Sequence, residues 1–129
     1  MIKIKRIEQK PEINDDFRIL IESTWPNGLS KEKTKLNLWI KDIAPSIELQ
    51  KWFKNEPDNW DGFKKRYLNE LKEKKDLIKQ LKIIEKFNTT ITLLYSSKDE
   101  EHNNAVVLLE LLQRPQKQVI QSVGRIHGS

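Results

Sequence analysis

The chain has no cysteine. This excludes disulfides, Cys-ligated zinc, iron–sulfur clusters and thiol catalysis. Histidine is almost as scarce: His102 and His127 are the only two, too few for a histidine-based metal cage. No metal and no cofactor is therefore expected. No apolar run approaches the ~18 residues of a membrane-spanning helix. The first residues, Met1-Ile2-Lys3-Ile4-Lys5, alternate apolar and polar and do not make a signal peptide. These absences point to a cytoplasmic globular domain that stays off membranes. Glycine-rich phosphate loops, a His-Glu-x-x-His helix and a Ser-His-Asp order are also missing, so the common enzyme signatures fail.

What is present is the length of one domain, 129 residues, with four Trp, four Phe and two Tyr to build a core. Charged residues make up 33% against 36% hydrophobic, so the core is lean and the surface highly charged. A monomer is the favoured state. The excess charge of +5 is not spread evenly. From Lys64 to Lys86 there are nine cations and four anions, so that stretch alone carries +5. Lys64, Lys65, Lys74, Lys75, Lys79 and Lys82 form a candidate polyanion face, which would attract nucleic acid through counterion release. The same lysines also suit a solvated face that keeps a small domain soluble. Lysine is a diffuse counter-charge, base or phosphate recognition leans more on arginine, and the chain has five Arg. No nucleic-acid motif accompanies the face.

Hydrophobic periodicity orders the chain. Ile2 and Ile4, with Ile7 one step out of phase, read as a half-buried strand. Lys10–Asp16 is loop, and Phe17–Glu22 is a second, more apolar strand that stops at a turn containing Pro26 and Gly28. Ser30 suits the cap of a short helix over Lys31–Lys35, and Leu36, Leu38 and Ile40 fit either a brief strand or a helical turn. Ser46 is a good N-cap for Ile47–Lys54. Asp58 is expected to cap the next helix, where Trp60, Phe63, Tyr67 and Leu71 make an amphipathic stripe. The charged break Glu73–Asp76 ends it, and Asp76 is expected to cap a helix that stops near Asn88. Thr89–Ser96 is the strongest strand. Asp99 is expected to cap a last helix from Glu100, burying Ala105, Val106, Leu108, Leu109 and Leu112.

The order strand, strand, helices, strand, helix predicts a single α/β domain over residues 1–114. Its sheet would be small and mainly parallel, with three or four strands flanked by helices. Residues 115–129 read as a polar, flexible C-terminal tail. The long helical crossover makes the second and last strands parallel; the direction of the first strand stays open.

In open parallel sheets ligands bind beyond the carboxyl ends of the strands. Two loops belong there, Glu22–Gly28 and Ser96–His102. Candidate catalytic groups are Glu22 or Asp99 as proton acceptor and His102 as shuttle. Trp25, Asn27, Ser96 and Lys98 are candidate ligand-binding residues, with Lys98 as counter-charge for a small anionic ligand. Each has a plainer reading: Trp25 as packing, Glu22 as a solvated edge charge, Asp99 as a cap, His102 as a surface group.

Three stretches together resemble a known family. They are Phe17–Glu32, with Trp25-Pro26-Asn27-Gly28 at its centre, then Leu38–Ser46, then Leu93–Asn103, with Ser96-Ser97-Lys98-Asp99-Glu100-Glu101-His102. This order resembles the YeaO-like family, domain-of-unknown-function family 488, small bacterial proteins. Trp52-Phe53, Phe63 and Arg66-Tyr67 also fit. The resemblance implies a compact α/β fold and no settled activity. The family's usual Asp-Arg-Leu-Trp-Pro-Arg-Gly appears here as Glu22-Ser23-Thr24-Trp25-Pro26-Asn27-Gly28, without either arginine. Where members often read Glu-His-Asn-His, this chain has Glu101-His102-Asn103-Asn104. The resemblance thus implies a divergent member, possessing the scaffold but with thinned polar chemistry: a degenerate enzyme or an interaction protein.

Overall fold

The computed structural model describes residues 1–114. Four strands form one sheet: β1 (Ile2–Arg6), β2 (Phe17–Leu20), β3 (Leu38–Trp39) and β4 (Ile91–Tyr95). Their order is β1-β4-β2-β3, and every pairing is parallel. The open direction of the first strand is therefore settled as parallel. β4 lies between β1 and β2, so the connection Ile7–Asp16 must cross over it, a span of roughly 10 Å that a short loop with one 3-10 turn can bridge. Leu38 and Trp39 make a brief edge strand, followed by a 3-10 turn at Lys41–Ile43.

The helices are α1 (Lys31–Thr34), α2 (Ile47–Asn55), α3 (Trp60–Leu71), α4 (Lys75–Lys86) and α5 (Asn104–Leu112). None of the described helices is long and apolar enough to cross a membrane. Ser30 and Ser46 cap α1 and α2, accepting from Lys33 N and Leu49 N. The cap of α3 is Asn59, not Asp58, because its Oδ1 sits three residues before the Gly62 N–H and accepts from it at 3.0 Å. Gly62 answers that cap: a Cβ there would lie 2.7 Å from Asn59 Oδ1. The charged break falls as expected, but a 3-10 turn at Lys72–Lys74 bridges it and α4 starts at Lys75 without a side-chain cap. Asp76 therefore lies inside the first turn, where its charge suits the helix dipole. The last helix begins four residues later than expected. Asn103 caps it through Val106 N, and Asp99 instead closes a turn by accepting from the N–H groups of Glu101 and His102. That delay rotates the buried face of α5 to Ala105, Val107, Leu108 and Leu112, leaving Val106 and Leu109 half-buried.

Both sheet faces are covered, as a parallel sheet requires. Ile19, Ile21, Ile91, Leu93 and Tyr95 face the helical layer, against Leu49, Phe63, Tyr67, Leu81 and Leu108. Ile7, Leu20 and Leu94 point the other way, under Trp25, Leu29, Leu36 and Trp39. Ile7 lies just past β1 on this second face, which explains its phase break. The tail expected at 115–129 lies outside the described residues.

Candidate functional site

Leu20 pairs with Leu94, so the residues two steps on, Glu22 and Ser96, emerge level with each other at the carboxyl ends of adjacent strands. Glu22 Oε2 accepts from Ser96 N at 2.8 Å and from Ser96 Oγ at 3.1 Å. Trp39 Nε1 donates to the Glu22 main-chain oxygen at 2.6 Å, fixing the backbone behind it. The two loops expected on one rim of the sheet are joined by these bonds.

The joint opens on a pocket of about 170 Å³, lined by Glu22, Gln50, Phe53, Phe63, Ser96 and His102, with Pro45, Ser97, Asn103 and Asn104 completing the wall. At ~30 Å³ per water it has room for about five or six waters, below the usual range for drug-sized ligands. Phe53 stacks on Phe63 at 4.4 Å, and the His102 ring lies 4.9 Å from the Trp60 ring. Gln50 Nε2 donates to Pro45 O at 2.7 Å. Asn104 Nδ2 donates to Ile21 O at 3.0 Å, tying α5 to the end of β2. Burial pushes the Glu22 carboxyl above its ordinary range, against the opposing hydrogen bonds from Ser96 and Asn104. Beneath, Tyr67 Oη donates to Ile43 O at 2.7 Å; burial, then the Glu22 and Glu70 charges, raise that hydroxyl well above its ordinary value.

Glu22, Ser96 and His102 line the pocket together. Asp99 stands outside the lining, with Oδ2 3.3 Å from His102 Nδ1; the Glu101 and His102 N–H groups lower its carboxyl. Lys98 is also outside the lining. Trp25 lies on the second face of the sheet, edge-on to Trp39 at 5.6 Å, with its Nε1 donating to Leu29 O. Asn27 is exposed in the turn before Gly28, whose φ of 81° favours glycine. The lysine face is divided. Lys64 pairs with Glu110, Lys74 donates to Ala44 O, and Lys75 sits among Asp42, Glu73 and Asp76. Lys79 and Lys82 lie on α4, and Lys65 lines a separate cleft. Sequence reasoning missed Gln50, Phe53 and Phe63 as pocket residues, because an aromatic stripe at helical spacing reads as core. Among the described residues no group of three or more His, Asp or Glu gathers as metal ligands.

The sequence profile described as the inactive DUF488-N3 subclade matches residues 1–124. The chain belongs to this family. The chain is similar to "Uncharacterized protein YeaO" of Escherichia coli (strain K12), 39% identical over 111 residues, 86% of this chain and 96% of the relative. It is also similar to "Uncharacterized protein Rv3073c" of Mycobacterium tuberculosis (strain ATCC 25618 / H37Rv), 29% identical over 111 residues, 86% of this chain and 92% of the relative. It is thus a divergent YeaO-like member of the DUF488 family, with the α/β fold that the resemblance implies. No solved structure matches the chain.

The raised Glu22 carboxyl carries a stability signature. A carboxyl raised by folding contributes stability below its unfolded value and loses it as pH rises through the folded value. Ionising Glu22 therefore costs the fold stability towards neutral pH. Glu22→Gln retains an acceptor for Ser96 and removes that charge. It is expected to raise the Tm at pH 7 and to flatten the decline of stability from about pH 4.5 upward. A variant less stable than the wild type at pH 7, measured by thermal denaturation across pH, would contradict this.

Proposed function

We propose that the rim pocket binds a small polar molecule and holds it without turning it over. The observation that carries this reading is the Glu22 carboxylate, fixed by Ser96 at the mouth of an aromatic-floored pocket on the carboxyl side of a parallel sheet. A buried carboxylate with neutral neighbours favours ligands that bring hydrogen-bond donors, such as small amides, alcohols or amines. A small anion would draw its counter-charge from Lys98 reaching over.

Loss of turnover fits the residues. Ser23 and Asn27 replace the two arginines of the family pattern. Asn104 replaces an imidazole, and its amide is engaged in anchoring Ile21 O. The family description, an inactive subclade, agrees with this reading.

A thermal-shift series tests it with size-matched amines, amides and anions. A ligand at ten times its Kd contributes about 1.4 kcal/mol, or roughly 4–7 °C for a domain of this size. Donor-bearing ligands are expected to give that shift in the wild type, with amines losing it in Glu22→Gln. No shift from any class, or an equal shift in the variant, would overturn the assignment, and turnover of a bound ligand would overturn the non-catalytic half.

A further inference from the structure

A cleft of about 690 Å³, larger than the rim pocket, runs along the outer face of α3. Lys65, Arg66, Asn69 and Lys72 share that face by their three- and four-residue spacing. Trp52 of α2 and Arg114, just past α5, complete its character: four cations line the cleft and no carboxylate does. None of the four is in an ion pair among the described residues. One neighbouring cleft, by contrast, mixes Lys72, Lys74 and Lys75 with Asp42, Glu73 and Asp76 and neutralises itself, and a second, on the other side of the Arg66–Trp52 pair, carries Glu48 and Glu70, the latter held by Ser46.

One of these cations is held in a particular way. The Arg66 guanidinium lies over the Trp52 ring at 4.2 Å. At that distance a guanidinium laid flat on the ring would turn its N–H edges to a bidentate phosphate and offer its outer face as a platform for an unstacked base. We propose that this cleft binds the phosphate backbone of single-stranded nucleic acid, with a base resting on the Arg66–Trp52 stack. A cationic open channel joined to a flat stacking surface is the arrangement that sequence-tolerant single-strand binders use. Glu22 and the rim pocket take no part in it.

Fluorescence anisotropy of the full chain with a labelled single-stranded 12-nucleotide RNA tests the proposal. Four neutralised phosphates give an expected log–log salt slope of about −3 for a single strand. Lys65→Gln with Lys72→Gln should weaken binding ~tenfold at 50 mM salt and bring the slope to about −1.5. Lys79→Gln with Lys82→Gln makes the same change in net charge outside the cleft and should hold affinity within about twofold. Arg66→Lys retains the charge but loses the flat face, so affinity should fall several-fold with the slope unchanged. Glu22→Gln should bind RNA as the wild type does, so this test and that of the rim pocket fail separately. Absence of binding at 50 mM salt, a flat salt response, or equal losses in the two lysine pairs would overturn the proposal. So would a mononucleotide or an acidic peptide competing as well as the RNA.

Discussion

Asp15→Ala is expected to cost the fold about 3–5 kcal/mol, the range for removing one partner of a buried ion pair. Asp15 is fully buried on the second face of the sheet, in the connection that crosses β4. Its Oδ2 meets Arg18 Nη1 at 2.6 Å and Lys5 Nζ at 2.9 Å, and its Oδ1 meets Lys3 Nζ at 3.0 Å. The Glu12 N–H donates to the same carboxylate, and Thr92 Oγ1 donates to the Asp15 main-chain oxygen at 2.8 Å. Without the carboxylate, Arg18 at 3% exposure would lose its ion pair and keep only the bond from Nε to Thr34 O, and Lys5 at 8% would be left with the exposed Glu12 and the Lys10 main-chain oxygen. Arg18 Nη2 already lacks a partner. The loss is large beside the ~5–15 kcal/mol of a whole domain. Arg18→Met added to Asp15→Ala should recover part of it, because the damage is the stranded charge. Urea unfolding measures both; a loss below ~1 kcal/mol for Asp15→Ala would mean that Lys5 and Arg18 find other partners.

The same group sets an acid limit. Burial alone would raise the Asp15 carboxyl. Hydrogen bonds from Lys5, the Glu12 N–H and Lys3, together with the Lys5 charge, overcome this and hold it well below the usual carboxylate range. A carboxyl lowered by folding contributes stability above its unfolded value and loses it as pH falls towards the folded one. Its contribution is thus complete above about pH 4 and drains away below.

Leu93→Ala is expected to cost more than Leu94→Ala, although both side chains are fully buried on the central strand. Leu93 faces the helical layer, where Phe63, Tyr67, Leu81 and Leu108 come from three helices and cannot all settle into a void. About 4 kcal/mol is expected there, near the upper end for such truncations. Leu94 lies under Trp25, from a loop, and Trp39, from the short edge strand β3, both only half-buried. That lid can follow the missing methyl groups down, so about 2–3 kcal/mol is expected. Equal losses in chemical denaturation would contradict the difference between the two covers.

Much of this was legible from residue spacing. β-branched Thr90, Ile91 and Thr92 marked the central strand, and Ser30 and Ser46 marked two helix starts. Asp76 failed as a cap because the 3-10 turn runs straight into α4, which has no side-chain cap; Asp58 and Asp99 are good cap residues in sequence, but a cap is chosen by which side chain reaches the third N–H of the helix. Asn59 and Asn103 reach it. Strand order was not legible, since nothing local says that β4 enters between β1 and β2. The meeting of Glu22 with Ser96 followed from the parallel pairing of β2 and β4. The rest of the pocket wall did not follow, because Gln50, Phe53 and Phe63 arrive from helices whose apolar stripes look the same whether they end in core or in cavity. The cationic cleft was hidden as well. Lys65, Arg66 and Lys72 follow one another along α3 to its C-cap, but Trp52 and Arg114 join them from distant places in the chain, and the even run of lysines pointed as much to α4.

Backbone amide spectra of the labelled protein, recorded as the best-binding amine is titrated in, test the rim pocket most directly. The expected result is a saturable set of shifts at Ser96, Ser97, His102, Asn103 and Asn104, abolished in Glu22→Gln. Shifts confined to the outer face of α3, or none at the end of β4, would contradict it.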